Sequence, residues 1–408
     1  MAREEFFVHT LPNGIRCVLK TVRSEVCYCS MTIGAGSRDE QTGERGVAHL
    51  LEHTLFKGTT RRKAWQVNCR LENLGGEINA FTTKEETVVH ATVLRRDFSK
   101  AVELIDDIIF HSTFPSAEVE KEKEVIVDEI NMYKDSPEER IYDEFEDMLF
   151  AGSELGHNIL GSKRDLARLT SEKIGRFVER NYTTDRMVFA AIGNISPKRF
   201  VAAVERYFGV EQATKRSVGR VKPTEVEQFN REVSHPSHHQ VRSIMGCRAY
   251  SLDSDKRLAL ILMTNLLGGP SAASRLNVAL RERNALTYCV EALYTPLSDC
   301  GMFSIYFSCE RDKVEQCRRT IECELQKLMN EPLTRRQLAI AKRQFMGQFA
   351  ISAENSEAYM LGVGKSYLVF GGVDSTEEVL RKVEALSPEN IMEVAREVLP
   401  KLSTLTFI

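Results

Sequence analysis

Apolar and polar residues alternate along 6–19, 26–33 and 86–94, which predicts β-strands, with Pro12-Asn13-Gly14 as the turn of an opening hairpin. Helical periodicity takes over elsewhere. It predicts helices at 46–57, 63–74, 97–111, 116–133, 136–150 and 171–181, each between turn or cap signals such as Ser116 and Thr170. The segment KRSVGRVKPTEVEQFN, 215–230, is polar and follows neither period. It reads as a linker between a first domain at 1–214 and a second at 231–408.

The two halves look like copies of one unit. LARLTSEKI at 166–174 recurs as KVEALSPENI at 382–391, so that Leu169 and Leu386, Glu172 and Glu389, and Ile174 and Ile391 each stand 217 positions apart. Pro115 and Pro332 keep the same spacing. A repeat this long and this faint points to an old duplication of a whole domain rather than a solenoid. Strands and helices that do not alternate strictly predict an α+β fold: two homologous domains, each an antiparallel-rich sheet with helices packed on one face.

With 408 residues and 42% hydrophobic content the chain can bury a large core. A formal charge of -3 gives no reason to expect nucleic acid or an anionic membrane as partner. The acidic start MAREEFFVHT is unlike a signal peptide, and no segment has the length of a membrane span, so a cytoplasmic location is expected. The ten cysteines form no C-x-x-C pair, which favours free, buried thiols over a disulfide framework or a thiolate metal site.

One stretch breaks the apolar pattern. AHLLEHTLFKGT, 48–59, carries His49, Glu52 and His53 within five residues, groups that are costly to bury unless something pairs with them. On a helix His49 and His53 share a face and can converge on one ion, with Glu52 near enough to reach a water beside it. This is the H-x-x-E-H order, although two satisfied core histidines and a surface glutamate would also produce it. The second copy serves as an internal control, because it places Leu260, Met263 and Thr264 at the equivalent positions. The fold does not need the polar groups, so their presence calls for a chemical reason. A catalytic metal needs a third protein ligand and an open position. The acidic helix SAEVEKEKEVIVDEINMY offers several, Glu122 and Glu129 among them, yet composition alone reads most of these acids as a solvated face.

HLLEH with a glutamate 76 positions after its second histidine, and another seven before that, resembles the pitrilysin/insulinase family of zinc peptidases, which includes mitochondrial processing peptidase. The resemblance implies that His49, His53 and Glu129 bind one Zn2+ per catalytic domain, that Glu52 is the general base, and that Glu122 is the carboxylate orienting a ligand histidine. It also implies domains of the LuxS/metallohydrolase-like type. GGEINAFTTKEETVVHA, 75–91, is similar to the family's edge strand, whose backbone at Asn79, Ala80 and Phe81 would pair with an extended substrate. Glu85 matches a recurring acid there without a clear role. In the second half GGPSAASRLNVALRERNALTYCVEA resembles the family's glycine-rich loop followed by an Arg and a Tyr, here Arg281 and Tyr288, which would hold the substrate backbone and stabilise the oxyanion. Ala285 stands where the family has glycine, Thr287 for Ala and Asn277 for a bulky apolar residue.

The expectation is a zinc-dependent endopeptidase of the family's two-domain bacterial branch, cleaving peptides or unfolded segments in a closed chamber. Four such domains surround the chamber in the family, so the chain is expected to pair as a homodimer or with an inactive relative. The alternatives are a non-catalytic partner subunit and a metal hydrolase of another substrate class. GVGKS at 362–366 ends like a phosphate loop but lacks its first glycine, since position 359 is Tyr. His235, His238 and His239 read as a solvated strand entry, and KGTTRRK at 57–63 as an exposed loop.

Overall fold

The computed structural model describes residues 6–217, 219–234 and 240–408; His235, His238 and His239 lie outside the described residues. The first part of the chain runs β1 (Phe6–Thr10), β2 (Arg16–Thr21), β3 (Val26–Ile33), α1 (Val47–Leu55), α2 (Ala64–Glu72), β4 (Glu77–Thr82), β5 (Thr87–Leu94), α3 (Phe98–His111), α4 (Ser116–Asp135), α5 (Pro137–Leu149), α6 (Lys163–Leu166), α7 (Ser171–Asn181), β6 (Met187–Gly193) and α8 (Pro197–Tyr207). It continues with β7 (Asn230–Val233), β8 (Val241–Ala249), α9 (Arg257–Gly268), β9 (Thr287–Pro296), β10 (Gly301–Cys309), α10 (Val314–Asn330), α11 (Arg335–Ala353), α12 (Ser356–Phe370), α13 (Thr376–Glu384), α14 (Pro388–Val398) and β11 (Ser403–Phe407). The duplication is visible in the elements: α7 starts at Ser171 and α14 at Pro388, 217 positions on.

Two compact units form. The first takes in Met1–Met132, His157–Val221 and Ile351–Ser375, the second Tyr133–Gly156, Lys222–Ala350 and Thr376–Ile408. The first unit is built on a six-stranded sheet in the order β1-β2-β6-β3-β5-β4, antiparallel except where β2 meets β6. One face carries α3 and α8, where Phe189 of β6 lies among Phe98, Phe200 and Phe208. The other face differs from the one-sided layer expected above. Val188, Ala190 and Ile192 of β6 point there and pack with Met360 and Val363 of α12, a helix that belongs by sequence to the second copy. A strand that is apolar on both faces needs cover on both, and all seven residues of β6 are buried.

The second unit repeats the arrangement. Its five strands run β7-β11-β8-β10-β9. Phe303, Ile305 and Phe307 of β10 face α9, α10 and α14 in one core. Met302 and Tyr306, on the opposite face, pack with Ile141, Phe145 and Leu149 of α5, which belongs by sequence to the first copy. Each unit is thus completed by the helix that follows the other copy's long helix.

Residues 211–229 form no helix or strand among the described residues. The first of them are strapped to the first unit: Arg216 and Arg220 reach the buried Asp39 at 2.5 and 2.8 Å. Burial works to raise the Asp39 carboxyl, and the hydrogen bonds and charge of Arg220 and Arg216 overcome it and hold it below the usual range. Glu85 joins the same network through Arg38 and Arg220, a structural setting for the acid whose role the sequence left open. All ten cysteines are free, and no helix among the described residues is long and apolar enough to cross a membrane.

GVGKS lies inside α12. Its Gly364 lets that helix approach the sheet, because a Cβ there would stand 2.5 Å from Oγ1 of Thr32 on β3. Gly364→Val is therefore expected to lower stability by about 1–3 kcal/mol, read as an earlier midpoint in urea unfolding.

Candidate metal centre

Nine residues make α1, fewer than a helix needs to persist alone. Its first turn is secured from outside by Glu40, whose buried carboxylate accepts the N–H groups of Gly46 at 3.0 Å and Ala48 at 2.9 Å. That satisfies two otherwise unpartnered donors and puts negative charge at the helix's positive end. Gly46 enters the helix at φ 84°, and a Cβ there would meet the Leu160 carbonyl oxygen at 2.7 Å. Only glycine suits both conditions. Leu50, Leu51 and Leu55 anchor α1 in the core, leaving His49, Glu52 and His53 to meet α4 and β4.

The two imidazole rings lie with centroids 4.6 Å apart. Nε2 of His49 and Nε2 of His53 each stand 3.7 Å from Oε2 of Glu129 on α4. The ligating atoms of the three residues all fall within 4.8 Å of one another. A tetrahedral ion with bonds of about 2.0–2.2 Å would set such atoms about 3.3–3.5 Å apart, so the three fit one ion with little movement.

Protonation favours the same use. Glu122, two turns before Glu129 on α4, accepts from Nδ1 of His53 at 3.1 Å, while its other oxygen takes the Lys57 ammonium at 2.7 Å. The Glu122 carboxylate accepts, so Nδ1 of His53 is the donor to it, and the neutral form of that imidazole presents the lone pair of Nε2 toward Glu129. Burial, with the charge of His53 beside it, brings His49 down to about 3, which keeps that imidazole neutral. Its Nδ1 is buried with no hydrogen-bond partner among the described residues. Burial pushes the carboxyls of Glu129 and Glu52 up, and for Glu52 contact with Thr82 and the charge of His53 offset part of the rise.

Thr82 ends β4, the outer strand of the six-stranded sheet. Along β4 Asn79 is exposed, Ala80 buried and Phe81 half-buried. The Ala80 N–H donates to Oδ1 of Asn79 at 2.8 Å. Arg281 and Tyr288 belong to the second unit, where Arg281 lies in a turn of π-helix at Asn277–Glu282 and Tyr288 on the outer strand β9; both side chains are exposed. Ala285 between them adopts φ 49°, in the left-handed region that favours glycine. In α9 of the same unit Leu260 and Met263 are core residues, and Thr264 turns its hydroxyl back onto the Leu260 carbonyl.

Two residues at the centre escape a reading by pattern. Lys57 is part of a stretch that looks like an exposed loop, although it stands one turn beyond His53, where a partner for Glu122 belongs. Glu40 has no motif at all, because its partners are backbone N–H groups.

Fold and site together define a duplicated α+β protein with an H-x-x-E-H helix facing a glutamate from a second helix. The profile of the family described as "Insulinase (Peptidase family M16)" matches residues 16–163, and that described as "Peptidase M16 inactive domain" matches 168–345. A Bacillus subtilis protein named an uncharacterized zinc protease is 32% identical over 96% of this chain and 95% of its own length. One from Streptomyces coelicolor with the same description is 31% identical over 98% of this chain and 88% of its own. The chain belongs to the insulinase family, peptidase family M16. Its fold is shared by a protease from Helicobacter pylori, with a TM-score of 0.92 at 20% identity over 99% of both chains. It is likewise shared by a peptidase M16 inactive domain from Pseudomonas fluorescens, at 0.91 and 20% over 99% of this chain and 97% of that one.

Glu40→Gln keeps the size of the side chain but removes its charge and one acceptor beneath α1. The expected loss is about 1–3 kcal/mol of stability, measurable by thermal or urea unfolding.

Proposed function

We propose that the chain is a zinc-dependent endopeptidase acting on peptides or unfolded segments. The observation that carries this reading is the convergence of His49, His53 and Glu129 beside a partly buried Glu52 at the end of an outer strand. Zinc, the metal named for the relatives, would be held by His49, His53 and Glu129 and would supply Lewis acidity toward a water and the scissile carbonyl. Manganese and cobalt suit the same donors.

Glu52 accepts the proton of the attacking water as the hydroxyl adds to the carbonyl carbon. It returns that proton to the leaving nitrogen as the C–N bond breaks. Burial suits it to both halves of this exchange by making the protonated form accessible. Glu122 and Lys57 position His53 and keep its Nε2 available. The substrate lies along β4 as an added strand, and an incoming backbone would displace the Asn79 side chain from the Ala80 N–H. Arg281 and Tyr288 take the substrate backbone and the developing oxyanion. The reading includes pairing of two chains around an enclosed chamber, as a homodimer or with an inactive relative.

Hydrolysis of a pool of quenched peptides tests the assignment. Glu52→Gln should abolish cleavage while retaining bound zinc; equal cleavage by parent and variant would refute it, and silence in both would favour a partner-subunit role. Lys57→Met and Glu122→Gln should each weaken zinc binding by roughly 10–100-fold, read by competition with a chromophoric chelator.

A further inference from the structure

A second group of potential ligands lies elsewhere in the first unit. Asp106 and His111 sit on α3, His111 as its last residue, and Glu211 follows the short turn after α8. Their ligating atoms fall within 4.8 Å of one another. His111 Nε2 is 3.8 Å from Oδ2 of Asp106 and 3.5 Å from Oε1 of Glu211. Asp106 is almost wholly buried, and its Oδ1 has no hydrogen-bond partner among the described residues.

The cation in this group is Arg61. Its Nη2 donates to Nε2 of His111 at 2.7 Å and its Nη1 to Oδ2 of Asp106 at 3.3 Å. A guanidinium has no acceptor, so Nε2 of His111 offers its lone pair. Arg61 therefore takes from His111 and Asp106 the same electron pairs that a metal ion would take. Its side chain is 46% exposed, and its Nε stands 3.9 Å from Oδ1 of the buried Asp107. The neighbouring cations are committed: Arg62 to Asp107 and Glu103, and Arg70 to Glu103.

We propose that Asp106, His111 and Glu211 form a second cation site, which takes a divalent transition-metal ion in exchange for the Arg61 guanidinium. One imidazole and two carboxylates suit zinc or manganese. The ion would fasten the end of α3 to residue 211, where the chain leaves α8 for the segment strapped to Asp39. Such a site is structural and independent of the proposed peptidase centre.

Zinc bound per chain at equilibrium dialysis tests this with the intact protein. The parent should hold two ions, and His111→Ala and the isosteric Asp106→Asn should each weaken one of them by more than roughly 10-fold. Arg61→Met should tighten that same ion by roughly 10-fold, because it removes a competing charge of the same sign. A salt-bridge network without metal would leave the count unchanged in Asp106→Asn and gain nothing in Arg61→Met, and either result overturns the proposal. His53→Ala separates the two sites. Loss of an ion there but not in His111→Ala refutes the second site alone, whereas loss in His111→Ala but not in His53→Ala refutes the peptidase centre alone.

Discussion

A carboxylate withdrawn from water is tolerable only when charges and hydrogen-bond donors are built around it, and Glu122 has both. Lys57 holds one of its oxygens and Nδ1 of His53 the other. This pairing ties α1 to α4, fixes which nitrogen of His53 carries the proton, and leaves Nε2 facing Glu129. Glu40 does comparable work at the other end of α1, where it stands in for the hydrogen bonds that the first turn lacks. A nine-residue helix can then present three polar residues at fixed positions.

The exchanged helices impose a second constraint. α12 closes one face of the first sheet and α5 one face of the second, so neither unit is complete within a contiguous half of the chain. His90 on β5 pairs with Glu357 of α12 at 3.0 Å, and Lys365 of α12 with Glu86 at 2.7 Å. These contacts bind β5, the strand next to the outer strand β4, and the residue before it to α12.

Much of this was legible in the residues themselves. The strands and helices that periodicity predicts through Asn181 fall within two residues of the predicted places, whereas β4 and α6 carry no period that marks them; the H-x-x-E-H pattern was readable because it lies on consecutive turns of one helix. The choice of Glu129 among the acids of α4 was not, since an acidic helix face looks alike whether it is solvated or liganding; there the family likeness supplied what periodicity lacked. β6 was hidden because burial on both faces erases the two-residue alternation. The exchange of α5 and α12 was hidden for a related reason: a helix's own pattern shows how wide its apolar face is, not which sheet receives it. Lys57 looked like a loop lysine because a single charge after a helix carries no mark of its partner.

The proposed activity requires one ion to bind where His49, His53 and Glu129 converge. Anomalous diffraction at the zinc edge, from crystals of the zinc-loaded chain, tests it most directly. A peak is expected within bonding distance of Nε2 of His49, Nε2 of His53 and the Glu129 carboxylate. Zinc-loaded crystals with no peak at those three residues would contradict it.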